Sequence, residues 1–294
     1  STVLLHQQQA RLYTLGAEQE AMVILARDRQ RNETDHPGED WANLPPTLPI
    51  EGGTITVRLT DLQGCFNLNN LWRPAPGEQS PTPNEPEKSD DKTKDDNGDE
   101  TQDSADSKTD ATAKPNPAKP NPAKPAVPPG KAGLEPARIK ALQRLLENLE
   151  LKPALAQAIA DWIDPDPDPQ FPDGAEDSDY AVLNPPYLAA NRPFLDTSEL
   201  RLIKDLDSEA YDKLAPAVCA LPPDTPLNVN TAQGPVLAAL GEKELNPTDL
   251  ERVLKERPTE GYKTVDEFLN AAKLTVAAPI KALLSVNSQY FLLR

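Results

Sequence analysis

Basic residues are scarce in this chain: 30 Lys and Arg stand against 47 Asp and Glu, a formal charge of −17 over 294 residues. Affinity for nucleic acid rests on Lys and Arg displacing counterions from phosphates, so DNA, RNA and anionic lipid surfaces are excluded as natural partners. Histidine is rarer still. His6 falls in a helical stretch and His36 in a loop, with no partner set for a Ser-His-Asp triad or a zinc centre. No Gly-rich phosphate loop occurs. Aromatic residues make up only 5%, too few to stack sugars around a glycosidase carboxylate pair. No apolar run reaches about 18 residues, the length needed to span a bilayer. A non-enzymatic protein is the expectation.

Cysteine is limited to Cys65 and Cys219, too few for a Cys-rich metal site and too far apart for a Cys-x-x-Cys redox motif. A disulfide is the simplest reading, with two unrelated buried thiols as the alternative. Proline, in contrast, is abundant at 33 residues, which signals a globular protein carrying a segment that does not build a core. That segment is 74–133. Between Trp72 and Leu134 there is no aromatic residue and Val127 is the only large aliphatic. Its first half is acidic and its second half repeats Lys-Pro-Asn-Pro-Ala from Lys114 and again from Lys119. Too little apolar area is present to offset the entropy of ordering it, so a disordered or extended insert is expected.

On either side of the insert the pattern is that of folded chain. Leu12, Leu15, Met22, Val23 and Ala26 recur at helical spacing in a stretch without proline, predicting one amphipathic helix over 4–31. No capping residue precedes it, so a longer helix is expected. A polar loop to Pro49 follows, then a turn at Glu51-Gly52-Gly53 and a strand over 54–59, with Cys65-Phe66-Asn67-Leu68 as its partner strand. From Pro136 onward helical spacing returns at 139–149, 155–163, 199–206, 210–218, 234–240, 248–256 and 265–272. The chain closes on a strand-like segment, 285–293, that either completes the first sheet or is itself truncated. The class is α+β: a helix and a small antiparallel sheet (1–73), the insert (74–133), an inserted α-helical domain (134–280) and a return strand (281–294).

The strongest chemical signal is the segment 153–191, which carries Asp161, Asp164, Asp166, Asp168, Asp173, Glu176, Asp177 and Asp179 but no Lys or Arg. Such crowding is relieved by a hard cation, and calcium takes six to eight oxygen ligands in a flexible shell. Asp164, Asp166 and Asp168 mimic the opening of an EF-hand loop, but Pro169 stands where that loop needs Gly and Ala175 where it needs Glu. An irregular site around Asp173–Tyr180, completed by Asn191, Asp196 and Glu199, is the remaining metal reading. The plainer alternative is a solvated acidic loop in which Asp196 or Ser198 caps a helix. The segment 200–210 is similar to a helix-hairpin-helix, yet Asp205 and Asp207 replace the glycines that would face phosphate, so it reads as packing.

Taken in order, Glu51-Gly52-Gly53, Cys65-Phe66-Asn67-Leu68-Asn69, Asp161-Trp162-Ile163-Asp164, Gly174-Ala175-Glu176-Asp177, Glu199-Leu200 and Leu227-Asn228-Val229-Asn230-Thr231-Ala232 resemble the minor pseudopilin of type II secretion known as general secretion pathway protein K. The resemblance covers nearly the whole chain outside the insert. It implies a pilin-like fold with an inserted α-domain, capping or initiating a periplasmic pseudopilus together with the I and J minor pseudopilins. It implies a membrane segment ahead of the helix, anchored in the inner membrane and absent from this chain, with Leu12, Leu15 and Met22 packing on partner helices. It also implies a Cys65–Cys219 disulfide and calcium, carried onto Glu176, Asp177, Asp179, Asp196 and Glu199. The rival expectation is a secreted calcium-dependent binding module.

Overall fold

The computed structural model describes residues 2–45, 47–50, 53–73, 133–243 and 247–294. The expected insert, apart from Gly133, and the first two residues of the Glu51-Gly52-Gly53 turn lie outside the described residues. The described part belongs to one compact unit, formed by residues 1–78 and 127–294.

Helix α1 (Thr2–Arg31) opens the chain. Its last third is packed: from Gln8 to Glu20 no residue is buried, whereas Ala21, Ile24 and Leu25 join Trp41, Leu59 and Phe291 in a small core. Trp41 meets Phe291 edge-on, with ring centroids 5.1 Å apart. Strands β1 (Thr47–Ile50) and β2 (Gly53–Thr56) form an antiparallel pair in the register Thr47↔Thr56. β1 is a correction to the expected loop, which runs only as far as residue 45 among the described residues.

The remaining strands are short. β3 (Leu59–Asp61), β4 (Phe66–Asn67), β5 (Trp72–Arg73) and β6 (Gly133–Leu134) lie before the first helix of the inserted domain. β5 and β6 pair antiparallel across the insert, Trp72↔Leu134. The helical part contains α2 (Pro136–Asn148), α3 (Leu155–Ile163), α4 (Asp177–Tyr180) and α5 (Ser208–Leu214). Then come β7 (Val218–Cys219), β8 (Leu227–Asn228), α6 (Gly234–Ala239), α7 (Pro247–Lys255), α8 (Val265–Ala272), α9 (Ala278–Lys281), β9 (Leu284–Ser285) and β10 (Phe291–Leu293). β10 runs antiparallel to β3, Phe291↔Asp61, so the chain end completes the sheet region near α1.

Three expectations are corrected. The strand at Cys65–Leu68 does not pair with 54–59; β4 pairs in parallel with β7, Phe66↔Val218. Among the described residues the expected single small sheet is five two-stranded ladders, two of them parallel. The helix expected over 199–206 is a 3₁₀ segment, Thr197–Leu202, started by the Asp196 side chain accepting from the Ser198 N–H. The common cause is brevity. Two-residue strands have no periodicity to read, and their partners lie far off in sequence.

Helix boundaries follow local chemistry. Pro136 opens α2, where a missing N–H costs nothing, and Thr264 caps α8 by accepting from the Glu267 N–H. The buried faces of α2 and α3, with Leu142, Leu145, Leu146 and Ile159 fully enclosed, form the centre of the main core.

Buried amides tie the short strands to that core. Asn69 Oδ1 accepts from the Phe194 N–H at 2.7 Å, and its Nδ2 donates to the Phe194 and Leu221 carbonyls, each at 2.9 Å. Asn230 binds Tyr262 through both its amide atoms, and Asn228 donates to the Asp35 carbonyl and the Ser288 hydroxyl. Removing such an amide strands buried backbone groups, at a cost of about 1–3 kcal/mol each. Asn69→Ala should therefore lower unfolding free energy by about 3 kcal/mol in urea titration; a loss below about 1 kcal/mol would show that these bonds do not anchor the strand segment.

Candidate metal centre

The acidic segment begins on α3. This helix is apolar on nearly every face, and it carries Asp161 into the interior and ends at Asp164. Asp161 is answered from the loop that follows: its carboxylate accepts from the Gln170 N–H at 3.1 and 3.2 Å and from the Ala175 N–H at 2.8 Å. The loop comes this close because residue 174 is glycine; a Cβ there would collide with Asp161 and with the Gln170 backbone. Even so, burial raises Asp161 to about 6.

Asp164 and Glu176 are different. Asp164 is 1% exposed and Glu176 2%; the Glu176 side chain faces the Asp179 N–H at the start of α4, but none of the four carboxylate oxygens makes a full hydrogen bond. Burial, followed by the charges of Asp166, Asp161 and Glu176, pushes Asp164 up to about 8. Burial, followed by Asp161, Asp166, Asp177 and Asp168, pushes Glu176 up to about 7. The Asn191 Oδ1 is likewise buried without a partner, on a residue whose φ of 45° is left-handed. Buried carboxylates are normally paired, hydrogen-bonded or metal-bound. Here the bare donors are all oxygen, the set a hard cation such as calcium takes.

The other residues mapped from the sequence are engaged locally. Asp177 accepts from the Ala189 N–H at 2.9 Å. Asp179 pairs with Lys204 at 2.7 Å and accepts from the Glu176 N–H; the bond from Lys204 holds its pKa below the usual value. Asp196 is held low by the bond from Ser198. Glu199 accepts from the Leu195 and Asp196 N–H groups and meets Arg192 at 3.4 Å. Asp164 is the residue left out of the sequence mapping. Its signal was its position, one residue beyond the apolar end of α3.

A second acidic group lies at the end of α1. Asp28, Asp35 and Glu39 bring carboxylate oxygens within 4.8 Å of one another, the one such trio among the described residues. Glu39 accepts from the His36 N–H, the Trp41 indole and the Asn32 amide. Burial raises Asp28 to about 6 and Asp35 to about 7. Sequence reading placed Asp28 on the first helix and took Asp35 and Glu39 for part of a plain loop.

Cys65 and Cys219 form a disulfide at the β4–β7 pair, Cys65 just before β4 and Cys219 within β7. The residues expected to meet partners are in the open: Leu12 is 68% exposed, Leu15 48% and Met22 56%. No helix among the described residues is long and apolar enough to cross a membrane.

Two family models, both described as type II secretion system (T2SS), protein K, match residues 64–223 and 227–287. The chain belongs to the type II secretion system protein K family. Its sequence is 36% identical over 275 residues to the type II secretion system protein K of Pseudomonas aeruginosa, covering 90% of this chain and 65% of that relative. It is 32% identical to the protein K of Klebsiella pneumoniae, covering 97% of this chain and 74% of the relative. Among solved structures, one chain of the GspK-GspI-GspJ complex from the enterotoxigenic Escherichia coli type 2 secretion system superposes with a TM-score of 0.66 at 28% identity, covering 98% of this chain and 85% of that one. Protein K membership accounts for the motif series and for the α+β architecture with its helical insertion.

Proposed function

We propose that this chain is the globular part of a non-enzymatic minor pseudopilin that caps or initiates the periplasmic pseudopilus of type II secretion, bound to minor pseudopilins of the I and J classes. The observation carrying this reading is α1, whose residues 8–20 include none that is buried while Leu12 and Leu15 project into solvent. A long helix with thirteen successive residues, 8–20, none of them buried, is built to lie against other helices. The solved neighbour is itself a three-protein complex of GspK, GspI and GspJ. A helical domain set beside the pilin-like part would block another subunit from stacking above, which suits a tip. The disulfide supports an oxidising compartment, the periplasm, with an inner-membrane anchor preceding the helix.

The test is co-elution with I- and J-class partners at micromolar concentration. Wild-type protein should form a ternary complex. Leu12→Asp/Leu15→Asp/Met22→Asp should weaken it by roughly 100-fold or more, since three apolar contacts would each be replaced by a charge. Its melting temperature should stay within about 2 °C of wild type, because these side chains are exposed. Failure of wild-type protein to co-elute defeats the reading.

Calcium is its second part. The bare oxygens of Asp164 and Glu176 support a site there, with Asp177, Asp179, Asp196 and Glu199 as the surrounding acidic shell. Bound calcium would supply the positive charge that the segment 153–191 lacks and would hold the loop against α3.

A further inference from the structure

Arg138, in the first turn of α2, is the largest fully buried side chain of the described residues, only 2% exposed. Its Nη1 donates to the Asn70 carbonyl at 2.6 Å, but Nε and Nη2 have no hydrogen-bond partner. No carboxylate among the described residues pairs with it; Glu135 and Asp224 act on it only at longer range. A second cation, Arg73, lies close enough to repel it. Burial and then Arg73 lower its pKa to about 10, so at neutral pH the guanidinium stays charged.

The unanswered side chain lines a cavity of about 40 Å³, walled otherwise by Phe66, Asn67, Asn70, Leu240 and Ile280. The two amides in that wall are already committed. Asn67 Oδ1 accepts from the Asn69 and Leu221 N–H groups, and Asn70 exchanges with Asn67 and Thr225. The cavity is therefore lined by a buried guanidinium with two unpartnered nitrogens, and no carboxylate among the described residues pairs with it. A water occupies roughly 10–15 Å³ of such space, so the volume admits a monatomic anion with a water beside it. Water alone would satisfy the N–H groups but leave the charge uncompensated, the costly part of burying an ion.

We propose that this cavity is an anion site, holding one ion of chloride's size on Nε and Nη2 of Arg138. The bound ion would join the strand segment 66–70, the start of α2 and the α9 region at one point. It uses residues apart from the acidic segment and stands independently of the calcium reading.

The experiment uses the whole chain exchanged into sodium gluconate. Chloride is titrated in at constant ionic strength while melting temperature is followed by calorimetry, with bromide and sulfate as parallel arms. Melting temperature should climb with the logarithm of chloride concentration, by about 3 °C or more up to 0.3 M, and bromide should act similarly. Sulfate should raise the melt only by its general salting-out effect, equally in wild type and in Arg138→Met. Crystals grown in bromide should show anomalous scattering within hydrogen-bonding distance of Nε and Nη2. Arg138→Met should abolish the chloride dependence; should that variant not fold, the wild-type arms decide alone. Equal melts in chloride and gluconate, a chloride response retained in folded Arg138→Met, or a cavity holding only water in the bromide crystal would each overturn the proposal.

Discussion

Metal-stripped protein at pH 7.5 should melt about 5–10 °C below the same protein in millimolar calcium. A site with a dissociation constant near 10 μM, at 100-fold excess of ligand, adds about 2.7 kcal/mol to the folded state. In a chain of this size each kcal/mol moves the melting temperature by roughly 2–4 °C. The pH dependence gives the claim a second edge. Asp164, Glu176 and Asp161 have folded pKa values of about 8, 7 and 6, all raised above those of an unfolded chain. Carboxyls raised in this way contribute stability that is fully present below about pH 4 and is lost as pH climbs through the folded values. In chelator, melting temperature should therefore fall between pH 5 and pH 8, and calcium should flatten that fall because it replaces the protons. Asp164→Asn/Glu176→Gln should remove the calcium response and melt higher than stripped wild type at pH 8. A melt indifferent to calcium, on protein shown metal-free by elemental analysis, removes the site.

Breaking the Cys65–Cys219 bridge should have a comparable or larger effect. The two residues are 154 apart in sequence, and closing so long a loop restricts the unfolded chain by an entropy worth at most roughly 5 kcal/mol. Cys65→Ser/Cys219→Ser should thus melt about 10–15 °C lower. The fold should persist, because the surrounding contacts do not need the sulfurs. Asn67 accepts from the Leu221 N–H and donates to the Pro222 carbonyl, and Asn69 binds Phe194 and Leu221. Near-ultraviolet circular dichroism at 20 °C should match wild type while the melt shifts. A melt unchanged to within 2 °C would mean that the unfolded chain is already restricted there. Intact mass of wild type should be two hydrogens below that of the reduced form.

The helical elements were legible because helix formation is local. The apolar spacing of Leu155, Ile159, Trp162 and Ile163 places α3 at 155–163, as found, and the spacing over 265–272 places α8 with the same agreement. Strands two residues long carry no such signal. β4 is called into being by Val218 and Cys219 across more than 150 residues, and β3 by the chain's last strand.

The acidic segment divides in the same way. Its lack of Lys and Arg is plain in the residues, and it was enough to raise calcium. Which carboxylates are bare is a matter of surroundings. Asp179 finds Lys204 from 25 positions away, and Glu199 finds Arg192 and the backbone at Asp196. Asp164 and Glu176 are enclosed by α3 and the loop without a full hydrogen bond to any of their oxygens.

The amino-acid sequence by itself settled the longer helices, the α+β class and the uncompensated charge, since periodicity and composition act over a few neighbouring residues. The tertiary structure alone decided the strand partners, the exposure of residues 8–20 of α1, the bare carboxylates of Asp164 and Glu176, and the uncompensated charge of Arg138. Those depend on which distant groups share a desolvated volume, and desolvation has no sequence spacing.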